Sequence, residues 1–239
     1  MPGNMKKLKI VDNSEAVTFV ASEDLRIVRN RSLYERRFKR AFDVIGALFV
    51  LLITLPLLLG IALSIRVGLG KGVFYRQRRV GLDGAPFMIL KFRTMRPDRR
   101  QSESADDDHQ DPVQEGQDRR SEHKGLHDPR HTGLGQLLRR LSLDELPQLI
   151  NVIRGEMSLV GPRPELVDVA SDRGYLDHLR HDVRPGMTGP YQVSELRLNG
   201  DLRDGLELDE AYVNSLTFTN DLGYLARTIT VMVRSSSGS

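Results

Sequence analysis

The segment VIGALFVLLITLPLLLGIALSI, from Val44 to Ile65, contains no charged side chain. As a helix it measures about 33 Å, enough to cross a hydrocarbon core of about 30 Å. A buried helix of this length in a soluble protein keeps a polar stripe, whereas this segment is apolar all round. It also begins too far into the chain for a secretory signal peptide. The sequence therefore predicts a helix in contact with a membrane.

Basic residues flank this segment on both sides, although a simple spanning helix carries its positive charge mainly on the cytoplasmic side. They are Arg36, Arg37, Lys39 and Arg40 before the segment, and Arg66, Lys71, Arg76, Arg78 and Arg79 after it. Pro56, at the middle, removes a backbone donor and should kink the helix. A re-entrant helix that enters the inner leaflet and returns satisfies both observations. An ordinary tilted span with a proline kink is the alternative.

The composition of the whole chain excludes several kinds of functional site. The chain has 239 residues and no Cys, which suits one main domain and excludes disulfides, Fe–S clusters, Cys-type zinc sites and a Cys nucleophile. The net charge is only +3, aromatic residues make up 6% and Trp is absent. A nucleic-acid binder normally interleaves aromatic and basic side chains, so no nucleic-acid partner is expected.

The chain divides into four predicted parts. They are an accessory or disordered extension over 1–30, a basic-flanked re-entrant membrane helix over 31–72, a cytosolic domain over 73–233 and a flexible tail over 234–239. In the third part, Val73–Tyr75 and Phe87–Phe92 favour strands, and Asp83-Gly84 between them predicts the turn of a β-hairpin. A polar insert follows over about 96–124, with almost no large apolar residue.

Apolar periodicity predicts five helices after this insert. They lie at Leu134–Leu141, Leu146–Ile153, Leu166–Leu179, Leu206–Leu216 and Leu222–Val233. His123, His127 and His131 recur every four residues, a spacing that aligns metal ligands on a helix. Because Gly125 and Pro129 between them break helix, we expect no metal site there.

The segment LRRLSLDELPQLINVIRGEMSLVGPRPE, Leu138–Glu165, contains the main candidates for chemistry. Asp144 and Glu145 are adjacent carboxylates at the start of an apolar periodic run. Ser142, three residues before Glu145, matches a capping box, and two acids also suit the dipole of a helix N-terminus. A purely structural interpretation of the pair therefore stands beside a catalytic one.

Several basic side chains accompany the two acids. Arg163 lies between two prolines that fix the backbone, so its guanidinium fork is held for a phosphate or carboxylate. The other basic residues of these motifs are Lys91, Arg93, Arg139 and Arg140. A carboxylate pair beside cations, in a protein held at a membrane face, indicates a site for a phosphorylated substrate and Mg²⁺.

These motifs resemble the bacterial sugar transferase family. The resemblance rests on YRQRRVGLDGAPFMILKFRTM, DPRHTGLGQLLRRLSLDELPQLINVIRGEMSLVGPRPE and RPGMTGPYQV, and it runs from Tyr34 to Val233. It implies an α+β, mainly helical, monotopic membrane protein with a re-entrant kinked helix and a small β-hairpin. The protein would lie in the bacterial cytoplasmic membrane, with its catalytic domain on the cytosolic face. The four-span N-terminal module of larger members is absent, so the chain resembles the minimal catalytic unit.

The resemblance also implies an activity and roles for individual residues. The chain would transfer a sugar-1-phosphate from a UDP-sugar to undecaprenyl phosphate and release UMP, as the initiating step of exopolysaccharide or other surface glycan synthesis. Asp144 would be the nucleophile and Glu145 the Mg²⁺ ligand. Lys91, Arg139 and Arg163 would bind phosphate. The sugar, the glycan pathway and the oligomeric state stay open.

Two departures from the family pattern bear on this expectation. The family usually has Ser-Pro in the re-entrant helix, whereas here Leu55-Pro56 follows Thr54, and the kink should survive. After RPGMTG this chain reads PYQVSELRLNG and lacks the family's Trp-containing stretch, which leaves the sugar undetermined. A silent membrane adaptor that binds anionic lipid, with Asp144 and Glu145 acting only as a helix cap, is the alternative function.

Overall fold

The computed structural model describes residues 32–96, 132–194 and 202–237, and in the last range it describes side chains over 205–231. Three predicted features lie outside these residues. They are the extension over 1–30, the polar insert after Arg96, and the histidines His123, His127 and His131.

The apolar segment forms one long helix. A π-helical turn, Tyr34–Phe38, leads into α1, Lys39–Gly68, which contains Pro56. The stretch Tyr34–Gly68 is long and apolar enough to cross a membrane. The helix continues on both sides of Pro56, so the predicted re-entrant kink is not confirmed and stays a prediction.

The predicted β-hairpin is confirmed. Strand β1, Phe74–Val80, pairs antiparallel with β2, Pro86–Phe92, so that Phe74 lies opposite Phe92. Asp83 and Gly84 in the connecting turn have φ values of 54° and 75°. Glycine adopts this left-handed conformation without strain and aspartate tolerates it, which is why the Asp-Gly pair marks the turn.

Helices are present at all five predicted places. With one short additional helix, the α-helices of the described residues after α1 are α2 Gly133–Arg140, α3 Gln148–Arg154, α4 Val167–Asp172, α5 Pro190–Val193, α6 Leu202–Asn214 and α7 Phe218–Ser237. The prediction over Leu166–Leu179 was too long, because Gly174 takes a φ of 68° soon after α4 ends. Helix α7 extends past Val233, since serine does not end a helix as glycine or proline does.

A second, parallel pair of strands was not predicted. Strand β3, Ser158–Val160, pairs with β4, Gly186–Thr188. The GPRP sequence directly follows β3, and RPGMTG contains β4, so the pairing brings these two motifs together. A Cβ atom at Gly186 would collide with the backbone of Gly161, so this close approach requires glycine.

Helix α1 packs against the rest of the described fold along both of its halves. In the first half, Ala47 is buried in a core with residues of β2, α3, β3 and α6. In the second half, Leu58, Ile61 and Ile65 pack with Phe92 of β2 and Leu138 of α2. The other faces of α1 carry exposed apolar side chains, among them Ile45, Phe49, Leu52, Ile53, Leu59, Leu63 and Val67.

A buried polar network fastens the start of α1. Lys39 Nζ lies 2.6 Å from Asp221 Oδ2 on α7 and also donates to the carbonyl of Val160, at 3.0 Å. The Asp221 carboxylate accepts from the hydroxyls of Tyr34 and Tyr212, both at 2.8 Å. Lys39 is therefore an internal partner, although the sequence placed it in the basic flank.

Two arginines also point inward rather than toward lipid or substrate. Arg40 donates to the carbonyls of Val152 and Ile153 at the end of α3. Arg93, predicted to add charge to the substrate site, donates instead to the carbonyl of Leu69 at 2.7 Å, just after α1. The last carbonyls of a helix lack partners within the helix, and arginine satisfies them.

Candidate active site

Asp144 and Glu145 lie in a 3₁₀ turn, Leu143–Glu145, between α2 and α3. The turn begins at Ser142, whose φ of 55° is left-handed and whose side chain makes no cap hydrogen bond. The predicted capping box is therefore not formed. The structure does not support a helix cap as the reason for the two acids.

Asp144 is a buried carboxyl, with 9% of its surface exposed. Burial raises the pKa of Asp144, and the neighbouring charge of Glu145 raises it further, while Lys91 and Arg139 act in the opposite direction. A buried acid beside a second acid costs folding free energy. Asp144 does not itself line the cleft that Glu145 borders. A buried carboxyl with a raised pKa beside a second charged group is nevertheless a candidate for catalysis.

Glu145 pairs with Lys91 across the site. The Lys91 Nζ atom, on β2, donates to Glu145 Oε1 at 2.8 Å, and both side chains are partly exposed. Lys91 therefore faces the acid pair. Arg139, at the end of α2, donates to Thr94 Oγ1 at 2.8 Å.

Arg163 lines the same cleft as Lys91 and Glu145, together with Arg79 and Gln148. Its backbone is firmly held, because four successive carbonyls, from Pro162 to Glu165, each accept a hydrogen bond. In chain order the donors are Gly186 N (2.8 Å), Arg180 Nη2 (2.7 Å), Arg79 Nη1 (3.3 Å) and Val80 N (2.9 Å). The structure thus brings together the predicted candidates Lys91, Glu145 and Arg163.

Sequence reasoning missed Arg79 and Gln148 as residues of the cleft. Arg79 was counted only in the basic flank of the membrane helix. In the hairpin, Arg79 lies opposite Phe87 and Lys91 lies opposite Tyr75, four residues apart on each strand, so Arg79 and Lys91 share a face. The Asp83-Gly84 turn fixes this register, and the signal was therefore present in the sequence.

The acid pair fits only part of a magnesium site. Among the residues that the structure describes, no group of three or more His, Cys, Asp or Glu side chains is placed to hold a metal. Mg²⁺ commonly takes one or two carboxylates and completes its shell with phosphate oxygens and water. The donor set therefore fits a cation that arrives with a phosphorylated substrate, with Glu145 as the more accessible ligand.

Comparisons with known proteins agree with this arrangement. Residues 34–235 match the bacterial sugar transferase family. The chain is 40% identical over 197 residues to the exopolysaccharide production protein ExoY of Rhizobium meliloti, covering 80% of this chain and 83% of that protein. It is 37% identical over 205 residues to a UDP-glucose:undecaprenyl-phosphate glucose-1-phosphate transferase of Caulobacter vibrioides, covering 80% and 68%. It is 35% identical over 224 residues to an undecaprenyl-phosphate galactose phosphotransferase of Salmonella typhimurium, covering 91% and 46%.

These matches define the class of the protein, which is an enzyme, a phosphoglycosyl transferase. More particularly, the chain belongs to the bacterial sugar transferase family, since the match covers most of its length. The predicted family is confirmed, and a silent adaptor is disfavoured.

Proposed function

We propose that the chain transfers a sugar-1-phosphate from a UDP-sugar to undecaprenyl phosphate, as the first step of exopolysaccharide or other surface glycan synthesis. The names of the relatives support this reaction class. The observation that carries the proposal is the buried Asp144 beside Glu145, next to a cleft lined by Lys91 and Arg163. Cations in this position neutralise the charge of a transferring phosphoryl group.

The reaction would proceed in two steps. An ionised oxygen of Asp144 attacks the sugar-bearing phosphorus, an O–P bond forms, and the bond to the leaving phosphate breaks so that UMP departs with the electron pair. An oxygen of undecaprenyl phosphate then attacks the same phosphorus and releases the Asp144 carboxylate. Lys91, Arg139 and Arg163 bind and orient the phosphates. Mg²⁺ held by Glu145 would supply further positive charge to the phosphate oxygens.

An assay of UMP release tests this reaction directly. The purified chain, with undecaprenyl phosphate, Mg²⁺ and each member of a panel of UDP-sugars, should release UMP with at least one sugar. The accompanying lipid product should be undecaprenyl-diphosphate-sugar. Lack of turnover with every UDP-sugar, in a folded preparation, would contradict the proposal.

Glu145 and Lys91 should affect the magnesium requirement in opposite directions. Glu145→Gln removes the proposed ligand, so the Mg²⁺ concentration for half-maximal activity should rise several-fold, with partial rescue at high Mg²⁺. Lys91→Met removes the cation that competes for Glu145 at 2.8 Å, so this concentration should fall although turnover also falls. Titration of UMP release with Mg²⁺ measures both effects. Equal shifts in one direction would argue against Glu145 as the ligand.

We further propose that α1 is re-entrant and that the catalytic domain faces the cytosol. Both halves of α1 pack against one body, through Ala47 at one end and Ile65 at the other. A helix that crossed the bilayer would carry its second half, with the residues packed on it, to the opposite side. The basic residues on both flanks support the same topology.

Single cysteines in this naturally Cys-free chain test the topology. Arg37→Cys and Lys71→Cys place thiols at exposed positions on the two flanks of α1, and Leu57→Cys places one beside Pro56. A membrane-impermeant maleimide should label both flanks in inverted vesicles and neither in spheroplasts. Leu57→Cys should stay unlabelled from both sides. Labelling of Lys71→Cys in spheroplasts would show that α1 crosses the membrane.

A further inference from the structure

Arg180 lies behind the cleft rather than in it, in a 3₁₀ turn, Leu179–Asp182, and is 5% exposed. One atom of its guanidinium, Nη2, donates to the backbone carbonyl of Arg163 at 2.7 Å and lies 2.9 Å from Asp209 Oδ2 on α6. Asp209 is also buried, at 1% exposed. A buried ion pair is therefore hydrogen-bonded to the backbone of Arg163, which lines the cleft.

A contribution to stability alone does not explain this buried ion pair. Removing two charges from water costs several kcal/mol per ion, and the mutual attraction recovers this cost only with good additional hydrogen bonding. Within the described residues, Arg180 Nε and Asp209 Oδ1 are buried and have no hydrogen-bond partner. An apolar pair would fill the same space at lower cost. The geometry instead favours a role in fixing the direction of the Arg163 carbonyl.

We propose that the Arg180–Asp209 pair positions Arg163 for the phosphates of the substrate. Arg180 acts through Arg163 and is a positioning residue, with Asp209 fixing its guanidinium. The inference rests on the proposed function, because it requires that Arg163 bind substrate phosphate. Helix α6, which carries Asp209 and follows the catalytic motifs in the chain, thereby helps to position a residue of the site.

Other charged groups also lie near the Arg180–Asp209 pair. His178 Nε2 contacts Glu210 Oε1 at 3.1 Å, beside the pair, and its Nδ1 accepts from the Arg180 backbone N–H. Burial raises the pKa of Asp209 to about 6, with Arg180 opposing the rise and Glu165 adding to it. The two neighbouring acids of α6, Asp209 and Glu210, thus offer a test residue and a control.

The test is a double-mutant cycle in activity. Asp209→Asn keeps the shape of the side chain and removes its charge, and Arg180→Met provides a second variant that removes both contacts of the guanidinium. Each should lower kcat/KM for the UDP-sugar on the order of 10²-fold, since a small misplacement of a substrate-binding group has effects of this size. In the Arg163→Ala background the same changes should lower kcat/KM by less than about 3-fold. Equal factors in both backgrounds would overturn the proposal.

Glu210→Gln is the matched control. It removes the charge of the next acid on α6, which contacts His178, and leaves the Arg163 carbonyl untouched, so kcat/KM should not change. A loss equal to that of Asp209→Asn would mean that α6 matters only as a whole, and would overturn the proposal.

Amide hydrogen exchange separates this inference from the proposed function. The peptide over residues 161–166 should exchange faster in Asp209→Asn than in the wild type or in Glu210→Gln. Unchanged exchange would overturn the positioning role even if the enzyme is active. A folded wild-type chain without turnover of any UDP-sugar would contradict the proposed function, and the exchange comparison would still decide whether the pair holds the loop.

Discussion

Replacing Asp144 with asparagine should lower sugar-phosphate transfer by at least about 10³-fold without making the protein less stable. The change is nearly isosteric, and it removes the oxygen anion that we propose attacks phosphorus. It also removes a buried acid whose pKa is raised by burial and by Glu145. An acid that served only to stabilise a helix dipole would lose stability when its charge is removed, whereas a nucleophile held in an unfavourable environment would not.

The pH dependence of stability determines the direction in which Asp144→Asn should change the Tm. A carboxyl whose pKa is raised in the folded state favours folding while it is protonated, and this contribution is lost as the pH rises above the unfolded value. The Tm of Asp144→Asn, without metal, should therefore equal that of the wild type at acid pH and match or exceed it at neutral pH. UMP release and thermal unfolding of the same samples measure both effects. Near-normal turnover, or a fall in Tm, would refute the assignment.

Replacing Asp221 with alanine should destabilise the protein by about 3–5 kcal/mol, because it leaves a buried lysine without its counterion. Asp221 is 0% exposed and accepts from Lys39, Tyr34 and Tyr212 at once. Without the Asp221 carboxylate, Tyr34 and Lys39 at the start of α1 lose their hydrogen bonds to α7. Urea unfolding in detergent micelles measures the change, as a lower midpoint with an unchanged slope.

A double variant separates the buried charge from the packing around it. Lys39→Met combined with Asp221→Leu removes both charges, so it should be more stable than Asp221→Ala alone. A loss below about 1 kcal/mol in Asp221→Ala would show that the Lys39 ammonium finds solvent or another partner, and that the network does not fasten α1.

The elements that the sequence predicted well have strong local signals. The hairpin follows from Asp83-Gly84 between two strand-forming runs, and α1 follows from its uninterrupted apolar composition. Strands β3 and β4 were missed because each has three residues and pairs across more than twenty-five positions, so no local pattern marks them. The capping box failed because Ser142 is left-handed, a conformation that the local sequence pattern does not reveal.

The roles predicted for the site residues stay predictions, although the structure brings Lys91, Glu145 and Arg163 together. Asp144, Glu145, Lys91 and Arg163 were identified from motifs. Counting charges along the chain, however, cannot distinguish a lysine that faces headgroups from Lys39, which bonds to a buried carboxylate and a carbonyl. Arg93 shows the same limit, because its partner is the end of α1. Such roles depend on which carbonyls the fold leaves unsatisfied, and only the tertiary structure shows this.

The central claim is that Asp144 carries the sugar phosphate between the two substrates. The most direct measurement is the intact mass of the chain after incubation with a UDP-sugar and Mg²⁺ in the absence of lipid. We expect release of up to one equivalent of UMP, a mass gain equal to a phosphosugar, and peptide mapping of that mass to Asp144, with no adduct in Asp144→Asn. An adduct on any other residue, or UMP that appears only when undecaprenyl phosphate is present, would contradict the claim.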